Sequence, residues 1–100
     1  MKNSRLSQIQ KEILNCLAKA FVKGVKEGKS TVINLAVTQT LNREIHPNNF
    51  RVSCKTLEER GLIMRRKVGF DWYINITPEG FDEALERLSE SQEKVLCSDD

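Results

Sequence analysis

Two clusters of residues carry recognisable chemistry. The first is Asn48, Asn49, Arg51, Val52, Lys55 and Thr56. On a helix, Phe50, Cys54 and Leu57 fall at i, i+4 and i+7 and form one buried stripe, which leaves those six looking outward. Amide, guanidinium, ammonium and hydroxyl groups on one face supply partners for phosphate oxygens and base edges, and the Val and Thr methyls suit the thymine methyl. The second cluster is Arg65-Arg66-Lys67, just before Gly69-Phe70-Asp71. Cations near the tip of a hairpin can lie along a phosphate backbone or reach into a minor groove. Glu58 and Glu59 fall in the last turn of the helix, away from the end that enters a groove.

Other chemistries lack their residues. There is no phosphate-binding GxxxxGK[ST], no GxGxxG, no HExxH and no calcium loop. One histidine, His46, has neither a second ligand at metal spacing nor a nucleophile beside it, and reads as a polar turn residue. Cys16, Cys54 and Cys97 are odd in number, with no CxxC, which argues against a disulfide framework or zinc and for a reducing compartment. No run reaches the ~18 apolar residues of a membrane span, and the first residues have no signal-peptide core. The expectation is a cytoplasmic, non-enzymatic protein with no cofactor.

The elements that must position the two clusters follow from periodicity and punctuation. Residues 4–23 predict an amphipathic helix with Leu6, Ile9, Ile13, Leu17, Ala20 and Phe21 inward, ended by Gly24 and Gly28. Ser30 is a candidate N-cap for a second helix over 31–42, where β-branched residues make a strand the competitor. Pro47 breaks the chain at His46. Asn48 or Asn49 is expected to cap a third helix, 49–60, stopped by Gly61. Two strands then flank Gly69-Phe70-Asp71, with Ile74 and Ile76 alternating against Tyr73 and Asn75. Phe70 and Trp72 are expected to pack the hairpin onto the domain, the other reading being a protein contact. Thr77 caps a last helix with Pro78 at its first position. That helix carries a long apolar stripe through Phe81, Leu85, Leu88 and Val95. The expected whole is a single α+β domain, 1–100, ordered over about 4–94 with a tail at 97–100.

Charge separates along this order. Residues 1–67 carry a net +9 and residues 68–100 a net −7. Such polarity suits a face turned to a polyanion and an acidic face kept away from it.

The segment L-E-E-R-G-L-I (57–63), a basic hairpin, and I-T-P-E-G (76–80) together resemble the winged helix-turn-helix transcription regulators of the MarR and PadR type. In that family L-x-x-x-G-L-[IV] joins the recognition helix to the wing and [LI]-T-x-x-G leads out of it. The resemblance covers roughly residues 6–90. It implies three N-terminal helices, a two-stranded wing and a C-terminal helix, and sequence-specific binding of double-stranded DNA. The recognition helix would be 49–60, in the major groove, and the wing 65–72, on the backbone or minor groove. A homodimer through the C-terminal helix and helix 1 fits the long apolar stripe. The chain departs from the MarR pattern in lacking the extra terminal helices that build the usual dimer and in its short wing, and it assigns no small-molecule effector. The rival reading is a winged-helix module that binds protein and not DNA.

Overall fold

The computed structural model describes residues 6–86, and its elements run α1 (Gln8–Val22), β1 (Glu27–Lys29), α2 (Ser30–Leu41), α3 (Pro47–Glu59), β2 (Ile63–Val68), β3 (Asp71–Ile76) and a last helix, α4, described over 78–86. The expected helix start at residues 4–5, the dimer candidates Leu88 and Val95, Cys97 and the tail lie outside the described residues.

Local chemistry sets the boundaries. Helix α1 starts at Gln8, later than expected, because Ser7 is its N-cap and closes a capping box with Gln10: Gln10 N–H donates to Ser7 Oγ at 3.1 Å and Ser7 N–H to Gln10 Oε1 at 2.9 Å. It ends in a Schellman motif, with Val25 N–H donating to Ala20 O at 2.8 Å and Gly24 N–H to Phe21 O at 3.0 Å. Helix α3 ends the same way: Leu62 N–H reaches Leu57 O at 3.0 Å and Gly61 N–H reaches Glu58 O at 2.9 Å. Two expected caps are corrected. Lys29, not Ser30, precedes α2 and offers no side-chain cap. His46, not Asn48 or Asn49, caps α3: its Nδ1 accepts from Asn48 N–H at 3.1 Å, and Pro47 occupies the first helical position, where no N–H is needed.

The two-stranded wing is also corrected. The sheet has three strands in the order β1-β3-β2, with β3 central and both pairings antiparallel. Residues 27–29, to which no element was assigned from the sequence, pair Glu27↔Asn75, Gly28↔Ile74 and Lys29↔Tyr73. Three residues of Glu-Gly-Lys show no alternation, and what holds them comes from β3 and from a distant arginine described below.

The core joins every layer. Ile13, Leu14, Leu17 and Ala18 of α1 meet Ile33 and Val37 of α2, Phe50, Cys54 and Leu57 of α3, Ile63 and Ile74 of the sheet, and Ala84 of α4. The α1 stripe is rotated from the expected one, since Leu14 and Ala18 are buried while Phe21 is partly exposed and meets Phe81 at a tilt, with ring centroids 5.2 Å apart. The exit from the wing is fixed at one point. Thr77 N–H donates to Leu62 O at 3.1 Å, and Thr77 Oγ1 donates to Gly61 O at 2.7 Å while accepting from Gly80 N–H at 3.0 Å. Gly80 is needed there because a Cβ at that position would run into the Leu62 carbonyl.

Candidate nucleic-acid interface

The first two turns of α3 present Asn48, Asn49, Arg51, Val52 and Lys55 to solvent, with Thr56 half-buried. Phe50, Ser53, Cys54 and Leu57 form the opposite, buried face, which is what holds the presenting face outward. Neither Arg51 nor Lys55 has a carboxylate partner among the described residues. A groove of about 630 Å³ runs between this helix, the start of α2 and the sheet, lined among others by Thr31, Asn34, Arg51, Lys55, Arg65 and Trp72.

The strand register divides the three wing cations between two faces. Cross-strand partners share a face, and the pairs Arg65↔Ile74 and Lys67↔Trp72 lie on the side of buried Ile63 and Ile74, towards α3. Arg66, opposite Tyr73, lies on the other side. There its guanidinium grips Glu27 with two bonds, Nε at 2.6 Å and an Nη at 2.8 Å. The bidentate contact holds the Glu27 carboxyl below the usual carboxylate range. Lys29 Nζ and Asp71 form a second ion pair across this face at 3.5 Å. The outer face of the wing therefore neutralises itself.

Arg65 is a strut between α3 and the wing. Its Nε donates to Glu58 Oε1 at 3.0 Å and its backbone N–H to Glu58 Oε2 at 3.3 Å, and the guanidinium sits 5.1 Å from the centre of the Trp72 ring. Lys67 Nζ lies 5.8 Å from the same ring. Each such contact contributes about 0.5–1 kcal/mol at an exposed site, so Trp72 orders two cations on the α3 side. Glu58 thus serves as the anchor of the wing, a role its place in a charged run did not reveal. Trp72 is only partly exposed, consistent with its packing there, but the expectation that Phe70 packs onto the domain is corrected: it is 99% exposed. It sits in the two-residue turn beyond Val68↔Asp71, past the last layer of core side chains.

Ser30, Thr31, Asn34 and Trp72 were not among the expected contact residues. Only folding brings α2 beside α3, and no spacing within either segment signals it. Cys54 lies under the groove, where burial pushes its thiol up to about 12. Among the described residues no cluster of three or more His, Cys, Asp or Glu side chains could hold a metal ion, and no helix is long and apolar enough to cross a membrane.

The arrangement is that of a winged helix, and solved structures share it. RosR of H. salinarum superposes with a TM-score of 0.79 at 19% identity, over 93% of this chain and 80% of that one. ZitR of Lactococcus lactis gives 0.72 at 18% identity, over 97% of this chain and 60% of that one. F93 from STIV, a winged-helix DNA-binding protein, gives 0.65 at 15% identity, over 93% of this chain and 97% of that one. No family model and no curated protein sequence matches the chain. The class defined is a winged-helix fold, with α2 and α3 as the helix pair and the β2–β3 hairpin as the wing.

Proposed function

We propose that this protein binds double-stranded DNA in a sequence-specific manner and acts as a transcription regulator of the MarR/PadR type. The observation that carries this reading is the exposed, carboxylate-free pair Arg51 and Lys55 on the leading turns of α3, facing the same groove as Arg65 and Trp72. Helix α3 enters the major groove, where Asn48, Asn49, Arg51, Val52, Lys55 and Thr56 meet phosphates and base edges. Lys67 meets the backbone beside it, with Arg65 held against Glu58 and Arg66 against Glu27 until the duplex competes for them. Phe81 of α4 meets Phe21 of α1, and in this reading the acidic last helix points away from the duplex.

The test is retention of duplex DNA over a salt series. Four to six phosphate contacts give a log–log slope of about −4 to −5, and a flat response overturns the reading. Selection from a random duplex pool then reports the preferred site and, through half-site spacing, the symmetry of the binder.

A homodimer forms through α1 and α4 in this reading. Val22 and Leu85 are exposed beside Phe81, around an apolar hollow of about 200 Å³. The sequence continues the stripe to Leu88 and Val95. Mass in solution for the full chain and for a chain cut after residue 90 distinguishes dimer from monomer. A second reading, a winged-helix protein-interaction module, is favoured by one observation only, the exposure of Phe70. Failure to retain DNA at low salt, with co-purification of a protein partner, would select it.

A further inference from the structure

Phe70 is the side chain that folding does not account for. The turn does not require it: Gly69 has φ 65° and supplies the positive φ, while Phe70 has none, the pattern of a type II′ turn. The ladder does not use it, since β2 and β3 close at Val68↔Asp71. Its neighbours at the tip extend the apolar surface, Val68 being 46% and Trp72 39% exposed. Lys67 and Arg65 sit against Trp72 on one side of this tip. The acid next to Phe70, Asp71, is paired with Lys29. The result is an aromatic side chain at the narrow end of a hairpin, with cations behind it and the adjacent carboxylate neutralised.

That combination fits a polyanion with apolar planes inside it. In duplex DNA the planes are the stacked bases, about 3.4 Å apart along each strand, reached through a minor groove about 6 Å wide. A two-residue turn is the smallest tip a hairpin can offer to such a groove. Resting on the DNA-binding reading above, we propose that Phe70 is a wedge that enters the minor groove and partly unstacks one base step, kinking the duplex toward the major groove. Pyrimidine–purine steps, TA and CA/TG, open most readily. The wing thereby selects sites by their flexibility at a position where it makes no base-edge hydrogen bond.

The experiment uses the full chain and a duplex taken from the random-pool selection, end-labelled so that energy transfer reports bending. Wild type should shorten the end-to-end distance. Phe70→Ala should bind with the same salt slope, lose the bend, and bind roughly 5- to 150-fold more weakly, the range for loss of one stacked aromatic. Phe70→Leu should retain much of the bend, because aliphatic wedges also unstack base steps. Substituting a fully exposed side chain leaves folding intact, which circular dichroism of each variant checks. Wild-type binding without a bend, or a Phe70→Ala protein that bends and binds as wild type does, overturns the wedge and leaves DNA binding standing. Loss of retention by wild type and both variants at low salt overturns the DNA-binding reading and the wedge with it.

Discussion

Thr77 Oγ1 donates to the carbonyl of Gly61 at 2.7 Å, joining the entry and exit of the wing across 16 residues of chain. The same oxygen accepts from Gly80 N–H, so one hydroxyl caps α4 and closes the base of the hairpin. The two sequence motifs that signalled the fold, L-E-E-R-G-L-I and I-T-P-E-G, are therefore two halves of one contact.

Thr77→Ala should lower stability by about 0.5–2 kcal/mol, the range for loss of a helix cap. Thr77→Ser, which keeps the hydroxyl, should retain most of it. Denaturant midpoints at unchanged m-value check this. Equal stability of the Ala and Ser variants would remove the hydroxyl from the account.

Arg51→Ala and Lys55→Ala should each change stability by no more than about 0.5 kcal/mol, because both side chains are exposed and unpaired. Each should reduce the magnitude of the salt slope by about 1 where it meets a phosphate. If Arg51 reads a base edge, its removal should also narrow the gap between preferred and random duplexes, by about 1–3 kcal/mol. Competition binding against a random duplex measures that gap.

The wing cations should not be equivalent. Lys67→Ala should weaken binding to all sequences, whereas Arg66→Ala should do so less, since Arg66 is on the other face and already holds Glu27. The Glu27 carboxyl is held low by Arg66 in the folded state. A depressed carboxylate stabilises above its unfolded pKa, and that contribution is lost as pH falls through the folded value. The β1 clasp should therefore weaken only under acid conditions, and Glu27→Gln should abolish that part of the pH dependence. Amide exchange across β1 against pH follows it, and acid sensitivity unchanged in Glu27→Gln would contradict the assignment.

Cys54 should be inert in the native protein. Burial raises its thiol from the ordinary value of about 9 to about 12, and the thiolate is the reactive form. A raised pKa contributes stability that is fully present below the unfolded value. It is lost as pH rises from about 9 towards 12. The protein should lose stability over that alkaline window, and Cys54→Ala should show less of this loss. Modification of Cys54 by a thiol reagent at neutral pH should track unfolding with denaturant; fast labelling of native protein would refute the burial argument.

Much of this architecture was legible because its signals are local. Phe50, Cys54 and Leu57 announce the buried side of α3 by spacing alone, and Gly61, Thr77 and Pro78 punctuate the chain through fixed backbone chemistry. What was hidden depends on partners far away in sequence. Strand β1 has three residues and no pattern of its own, and its clasp is an ion pair between residues 39 apart. His46 was hidden for another reason: an imidazole can replace the usual Asn or Ser as cap acceptor, and with Pro47 at the first helical position the cap falls two residues before Asn48 and three before Asn49. The candidate interface divides likewise. Its α3 residues follow from one helix face, but the separation of Arg65 and Lys67 from Arg66 needs the strand register, and the role of Glu58 needs the wing folded back on α3.

Strand β1 ends at Lys29 and α2 begins at Ser30, with no intervening loop. The sheet is thus spliced directly to the first helix of the helix pair, while Arg65 and Glu58 brace it against the second. The wing is therefore tied to both helices of the pair, covalently to α2 and through an ion pair to α3. A polyanion that drew Arg65 away from Glu58 would loosen the tie to α3 alone, and the wing would then swing from its covalent join to α2.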